Sequence, residues 1–178
     1  MTLAEFADDV RGVVAAHVWL RRADHLGARV RCWGRPVIRN GGRLIIGDRV
    51  RLRSTVARTE LETTPGGTLE IGEGTFINYG SSIAASDRVT IGARCLLGTY
   101  TLVMDNAFHR LEPERRMERP KSAPVVLEDN VWLGARAIVL PGVTIGTDSV
   151  IAAGSVVTRD IPPRHLAAGV PARIVRRL

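Results

Sequence analysis

Aliphatic residues recur every six positions in the later part of the chain, and this spacing is the main feature of its hydrophobic pattern. Six consecutive six-residue units open on an aliphatic side chain: Leu127, Leu133, Val139, Ile145, Ile151 and Val157. The spacing also appears upstream in two shorter runs: Ile71, Ile77 and Ile83, then Ile91, Leu97 and Val103. A period of six fits neither the roughly 3.6-residue period of an α-helix nor the two-residue alternation of a long strand.

A short strand followed by a corner, repeated along the chain, accounts for this period. Three such units close a triangular coil of about 18 residues, and each coil hydrogen-bonds to the next, as in other solenoids. The aliphatic opener faces the inside of the prism, and a small or β-branched residue at the fifth position packs beside it. Gly, Asn or Asp is expected at the corners, where the backbone needs a positive φ. The sequence therefore predicts an all-β solenoid.

Residues 3–20 follow a helical pattern instead. Apolar residues recur there at spacings of three and four, as on one face of an amphipathic helix: Leu3, Phe6, Val10, Val13, Val14 and Val18. Thr2 and Glu5 have the spacing of a capping box, and we expect the helix to cover the open first coil. The predicted organisation is a helical segment at 1–25, the solenoid at 26–162 with a loop extruded at about 104–123, and a tail at 163–178.

Composition and charge narrow the range of partners. The 178 residues are enough to bury a core, and only 4% are aromatic against 18 glycines, which suits tight turns around a narrow core. The net charge of +7 comes almost entirely from arginines that are spread along the chain. No basic stretch is interleaved with aromatic residues, so nucleic acid is not expected as a partner. A phosphate-rich cofactor fits the positive charge.

Location is inferred from three further features. Two cysteines, Cys32 and Cys95, are too few for a disulfide-built secreted domain. The first 20 residues include several acidic ones and lack the apolar run of a signal peptide. No stretch approaches the roughly 18 consecutive apolar residues of a membrane-spanning helix. We therefore expect a cytoplasmic protein with no membrane partner.

A polar segment between about residues 104 and 123 interrupts the repeat, and we expect it to loop out of the prism. Long loops in compact folds are often functional. This segment carries His109. A hydroxyl group is a poor nucleophile at neutral pH, and a neutral imidazole is well suited to remove its proton. No Ser or Cys nucleophile is indicated, and the other histidines, His17, His25 and His165, receive no role.

Four segments resemble the consecutive signature segments of the hexapeptide-repeat acyltransferases: Asn130–Gly134, Leu140–Gly146, Ala153–Pro162 and Ala168–Arg173. The resemblance covers roughly residues 44–178 and is strongest over 124–176. It implies a left-handed parallel β-helix, which is an exception to the usual right-handed crossover. It also implies a homotrimer with active sites at the subunit interfaces and an acyl-CoA as the donor.

The resemblance also implies roles for individual residues. His109 occupies the position of the family's catalytic base and Asn78 that of an acceptor-side asparagine, and Asp105 would either orient the imidazole or bind the acceptor. Six residues match positions that contact the pantetheine arm, the acyl end or the phosphates of the cofactor: Trp132, Ala135, Ala153, Arg159, Arg173 and Arg176. Arginine is suited to phosphate because its planar guanidinium binds two oxygens at once.

The function predicted from these residues is O-acetylation of a sugar-like small molecule by acetyl-CoA, with no metal required. An amino-sugar N-acetyltransferase, a longer acyl donor and a non-catalytic β-helix scaffold remain alternatives. A carbonic anhydrase on the same prism would need several histidines spaced as zinc ligands, and only His109 lies near the coils. The N-terminal helix does not resemble the acceptor-binding segment of maltose and galactoside acetyltransferases, so those substrates are not carried over.

Overall fold

The computed structural model describes residues 2–178, with the side chains of residues 3–5 outside that description. One α-helix, α1 (Leu3–Trp19), precedes a series of short strands, and a single 3-10 turn, Pro113–Arg115, lies in the loop between two of them. The strands are β1 (His25–Leu26), β2 (Arg31–Gly34), β3 (Val37–Asn40), β4 (Arg43–Ile46), β5 (Arg51–Ser54), β6 (Glu60–Thr63), β7 (Thr68–Ile71), β8 (Phe76–Ile77), β9 (Ser82–Ala85), β10 (Arg88–Ile91), β11 (Leu96–Leu97), β12 (Leu102–Met104), β13 (Val125–Leu127), β14 (Trp132–Leu133), β15 (Ile138–Val139), β16 (Thr144–Ile145), β17 (Val150–Ile151), β18 (Val156–Val157), β19 (His165–Gly169) and β20 (Ala172–Arg177).

The strands form three sheets, which are the faces of a triangular prism. Face A has the order β1-β4-β7-β10-β13-β16, face B the order β2-β5-β8-β11-β14-β17-β19-β20, and face C the order β3-β6-β9-β12-β15-β18. Every third strand therefore joins the same sheet, and pairing is parallel except between β19 and β20. The chain is a left-handed parallel β-helix of about seven turns, which confirms the predicted fold class.

Stacked aliphatic residues fill the prism. On face A the register places Ile71 beside Ile91, Ile91 beside Leu127, and Leu127 beside Ile145, and each is at most 2% exposed. The small or β-branched residues at the fifth positions are also buried. Full burial of one such aliphatic side chain contributes about 1.5–3 kcal/mol. The six-residue spacing therefore describes one continuous core.

The corners differ from the expectation in the residues that they use. Positive φ angles occur at Tyr100 (58°) and Arg136 (60°) as well as at Gly and Asn corners. The left-handed region costs a non-glycine residue about 1–2 kcal/mol. The Arg136 guanidinium lies 5.9 Å from the centre of the Tyr100 ring, so these long side chains pack along the corner edge. At Gly98 the reason for glycine is close approach, because a Cβ would lie 2.7 Å from the amide nitrogen of Ala135.

Helix α1 is confirmed, and its packing side is formed by small residues and by Leu20 just beyond its end. Ala16 and Leu20 are fully buried and join the core, whereas Phe6 and Val14 are more than half exposed. The helix lies against β2, and a Cβ on Gly12 would lie 3.2 Å from the Cβ of Arg31. Small residues allow this close contact, which branched valines would prevent. The proposed capping box involves the Glu5 side chain and so lies outside the described residues.

The two ends of the solenoid are closed differently. At the start, α1 covers β2. At the end, the predicted tail 163–178 begins with β19, which continues face B by pairing with β17, and β20 then folds back antiparallel to β19. In the part of the chain that the structure describes, no helix is long and apolar enough to span a membrane.

Candidate functional site

The extruded loop runs from the end of β12 to the start of β13, and its neck is tied to the prism by Asp105. This carboxylate is fully buried and accepts hydrogen bonds from the backbone N–H groups of Ser86 (2.8 Å), Asp87 (2.7 Å) and Arg88 (2.8 Å). Across the neck, the Asn106 amide donates to the carbonyl oxygen of Pro120 and to the Ser122 hydroxyl. Asp105, which was predicted to bind the acceptor, therefore lies in the wall of a coil with both oxygens engaged.

His109 lies at the surface of this loop with a defined tautomer. Its Nδ1 is 2.9 Å from the carbonyl oxygen of Arg116. Because a carbonyl oxygen can only accept, Nδ1 carries the proton, and Nε2 therefore carries the free lone pair. The side chain is exposed. This arrangement suits a base that takes a proton from a group arriving from outside the chain.

The rest of the loop is held by contacts within itself. Arg110 pairs with Glu112 at 3.1 Å and Arg115 with Glu118 at 2.7 Å. The hydrogen bonds from these arginines hold the pKa of each glutamate below its ordinary value. Two apolar side chains of the loop, Leu111 and Met117, are 90% and 88% exposed.

A second group of predicted residues lies on face B and on the edge between faces B and C. Ala135 and Ala153 occupy this edge in successive coils, and the Gly154 N–H donates to the Ala135 carbonyl oxygen at 2.8 Å. Trp132 projects from face B and is 52% exposed. Arg173 and Arg176 lie on β20, opposite Ala168 and Leu166 of β19. The small side chains leave the edge open for an extended ligand to lie across the coils.

Asn78 is one of the residues that line a shallow groove on the earlier coils of face B. The groove, of about 340 Å³, is lined by Trp33, Arg51, Arg53 and Phe76 as well as Asn78. The Arg51 guanidinium lies 5.2 Å from the centre of the Phe76 ring. The Asn78 side-chain oxygen accepts from the Tyr79 N–H. The groove's other residues were not predicted as site residues, although the alternation of Trp33, Arg51 and Arg53 with buried residues along β2 and β5 marks these three as outward-facing.

The structure separates the predicted site residues into two groups. Arg159 follows β18, at the edge between faces C and A, which is also the edge from which the loop with His109 leaves. Asn78, Ala135 and Ala153 lie on the B/C edge, on the other side of face C. A strand advances about 3.3 Å per residue, so one six-residue side spans about 20 Å. The edge from which the loop leaves and the B/C edge therefore lie on opposite sides of face C.

Cysteine chemistry does not contribute to either group. Burial raises the pKa of Cys95 to about 11 and that of Cys32 to about 12. Both thiols therefore stay protonated at neutral pH and are poor nucleophiles. Among residues 2–178, no group of His, Cys, Asp and Glu side chains has an arrangement that would hold a metal ion. The larger cavity on the chain, beside the end of α1, contains none of the predicted site residues.

Comparison with known proteins supports the fold and the signature segments. Residues 124–159 match the family model described as the hexapeptide repeat of succinyl-transferase. The chain is 39% identical over 116 residues to a galactoside O-acetyltransferase of Escherichia coli (strain K12), a match covering 64% of this chain and 56% of that protein. The chain spans about half the length of the curated relatives that it matches.

Solved structures match over more of the chain. A hexapeptide-repeat-containing acetyltransferase from Vibrio cholerae is 32% identical, with a TM-score of 0.69 and coverage of 94% of this chain and 81% of that one. A second structure of that acetyltransferase, from Vibrio cholerae O1 biovar eltor and complexed with acetyl coenzyme A, is 30% identical, with a TM-score of 0.67. It covers 97% of this chain and 84% of that one.

Proposed function

Since the chain belongs to the hexapeptide-repeat acetyltransferase family, we propose that it transfers an acetyl group from acetyl-CoA to a hydroxyl of a sugar-like acceptor, with His109 as the general base. The acetyl-CoA complex of the Vibrio cholerae relative supports the donor. The galactoside O-acetyltransferase of Escherichia coli supports a sugar acceptor. The observation that carries the proposal is the exposed His109 ring with its lone pair on Nε2.

In the proposed reaction, His109 Nε2 takes the proton of the acceptor hydroxyl as its oxygen attacks the thioester carbonyl carbon. The new C–O bond forms, the C–S bond breaks, and the proton on Nε2 passes to the departing thiolate. The hydrogen bond from Nδ1 to the Arg116 carbonyl becomes stronger when the ring is charged, because charge-assisted hydrogen bonds are the stronger ones. The loop thereby stabilises the imidazolium that forms during the transfer.

The donor is proposed to lie along the B/C edge. Ala135 and Ala153 are small enough for an extended pantetheine arm to approach the backbone, and Trp132 offers an exposed indole nearby. Arg173 and Arg176 supply positive charge beside the last coil of face B. Arg159, on the other edge, would meet the phosphates of a donor bound to a neighbouring subunit. The acceptor is proposed to occupy the groove at Asn78, close to this edge.

A homotrimer is proposed because neither edge is a complete site. The loop with His109 leaves the prism at the C/A edge and the donor residues lie at the B/C edge, so packing of two prisms side by side would bring one edge against the other. Face B also exposes apolar side chains that a neighbour would cover: Leu96 is 42% exposed and Trp132 is 52% exposed. Light scattering should give three chain masses at micromolar concentration. A monomer under those conditions would contradict the shared site.

The central experiment is His109→Ala in the full chain, assayed by thiol release from acetyl-CoA with a panel of sugar and amino-sugar acceptors. Loss of a general base lowers turnover by about 10²–10⁴. Mass spectrometry of the product then identifies the acceptor class.

His165→Ala is the matched control for this experiment. His165 also places Nδ1 near a backbone carbonyl oxygen, that of Pro163 at 2.8 Å, but it lies at the edge between faces A and B. The control should keep its turnover. If His109→Ala keeps more than about a third of the wild-type turnover, the ring does not act as the base.

A further inference from the structure

The exposed face of α1 forms an apolar stripe that no described part of the chain covers. Its members follow one another at intervals of four residues: Phe6, Val10, Val14 and Val18. Their exposed fractions lie between 47% and 60%. Residues four apart lie on one side of a helix, so the four side chains form a continuous strip. An exposed apolar strip of this kind marks a surface that binds another protein or a membrane.

The carboxylates of Asp8 and Asp9, on α1, lie outside the stripe. Asp9 pairs with Arg31 at 2.8 Å, and Asp8 accepts a hydrogen bond from the Trp33 indole at 2.9 Å. Both carboxylates therefore point toward β2, on the side of the helix that packs against the prism. Arg11 is exposed beside the stripe. The helix thus has one side fixed to the prism by polar contacts and another that is apolar.

Four arginines surround a cavity at the end of the stripe. The cavity, of about 680 Å³, is lined by Val18 of the stripe and by Trp19, Arg21, Arg22, Arg35 and Arg58. The Arg35 guanidinium lies 5.2 Å from the centre of the Trp19 ring. No Asp or Glu lines the cavity, and among residues 2–178 none of the four arginines has an ion-pair partner. The four arginines therefore have no counter-charge among the side chains that the structure describes.

We infer that the apolar stripe and the arginine cavity together form a binding surface for anionic phospholipid membranes. The stripe enters the interface between headgroups and acyl chains, and the arginines bind headgroup phosphates. An apolar helix face next to basic residues binds membranes in this way, with a strength set by apolar area and by attraction to anionic lipid. Tryptophan beside arginine is also typical of membrane interfaces. The sequence predicted no membrane partner because no apolar stretch is long enough to span a membrane, a test that does not detect a helix lying in the interface.

A second copy of the chain is a poorer occupant of this surface. It would bring four further unpaired arginines near the first four, and both chains carry a net charge of +7. The nearby carboxylates of Asp8 and Asp9 are already bound to β2, and that of Asp24 accepts from Asn40 and the Leu44 N–H. An anionic membrane supplies both an apolar layer for the stripe and negative charge for the four arginines.

The test is sedimentation of the full chain with vesicles of phosphatidylcholine alone or with about one third phosphatidylglycerol. Binding should require the anionic lipid and weaken with added salt. Val14→Asp should lower the partition coefficient at least about tenfold, because it puts a charge into the apolar stripe. Arg35→Gln and Arg58→Gln should each lower it about fivefold, the usual contribution of one basic residue near an anionic surface.

Matched controls distinguish binding through this surface from nonspecific binding to vesicles. Val170→Asp changes another exposed valine, in the turn between β19 and β20, and Arg164→Gln removes an arginine near the same end of the prism; both should bind vesicles like the wild type. Absence of binding to anionic vesicles, or equal binding by Val14→Asp, overturns the inference. A lower oligomer mass for Val14→Asp without lipid binding by the wild type would instead show a protein interface. Thiol release, measured on the same variants, tests the proposed acetyl transfer independently.

Discussion

The coils from β10 to β18 and the loop that interrupts them, residues 105–124, are stabilised in different ways. In the coils, each aliphatic residue stacks on the equivalent residue of the next coil, and the ladder fixes its position. The loop has no buried apolar residue between 107 and 119. Its order comes from the neck at Asp105, the ion pairs of Arg110 and Arg115, and the hydrogen bond of His109.

This difference explains why the candidate base lies on the loop. A repeated coil repeats its backbone geometry, so its outer side chains can point only outward from a face or an edge. A loop is free of that constraint and can carry one imidazole toward a neighbouring surface. Functional residues are concentrated on loops held by a rigid scaffold for this reason. We make three predictions that test this difference between the coils and the loop.

The largest effect is expected for Leu133→Ala in a coil, compared with Leu111→Ala in the loop. Leu133 is fully buried and Leu111 is 90% exposed. Truncating a buried leucine leaves a cavity and lowers the free energy of unfolding by about 2–5 kcal/mol. The loop substitution should stay within about 0.5 kcal/mol of the wild type. Urea unfolding measures both, and equal losses would show that the loop is part of the core.

A smaller effect is expected for Asp105→Asn at the neck, where the two regions meet. The amide retains one oxygen to accept from the three N–H groups and places its own N–H donors near them. Hydrogen bonds to a charged acceptor contribute about 1.5–3 kcal/mol each, so we expect a loss of about 2–3 kcal/mol. Asp87→Asn is the control, since the Asp87 side chain is exposed. Little change in urea unfolding for Asp105→Asn would mean that the neck bonds are not important for stability.

The smallest effect concerns the loop's response to acid. Hydrogen bonds from Arg115 and Arg110 lower the pKa of Glu118 and Glu112 in the folded loop. A carboxylate with a lowered pKa stabilises the folded form at pH values above its ordinary pKa, here 4.5. This stabilisation is lost as the pH falls below 4.5 and through the lowered pKa. Hydrogen-exchange protection should therefore decrease in residues 107–119 before it does in the coils. Simultaneous loss in both regions would contradict separate stabilisation.

Several features were predictable from the sequence because they depend on periodicity. The six-residue spacing gave the coils, their buried openers and the small residues beside them, and the break in spacing located the loop. The packing side of α1 could not be predicted, because apolar periodicity shows which residues share a face but not which face meets the prism. The burial of Asp105 could not be predicted either, because its three N–H partners lie in the preceding coil, near residue 87.

The sequence by itself determined the solenoid, since a repeated aliphatic residue can be buried only by stacking on its equivalents in neighbouring coils. It also determined where the repeat stops and that His109 lies in the interruption. Only the tertiary structure decided that the loop with His109 leaves the prism on the opposite side of face C from the B/C edge, because the edge to which a residue belongs depends on how the coils close. It also decided that Phe6, Val10, Val14 and Val18 face outward, because Gly12 and Ala16 allow the helix to approach β2 more closely than valines do.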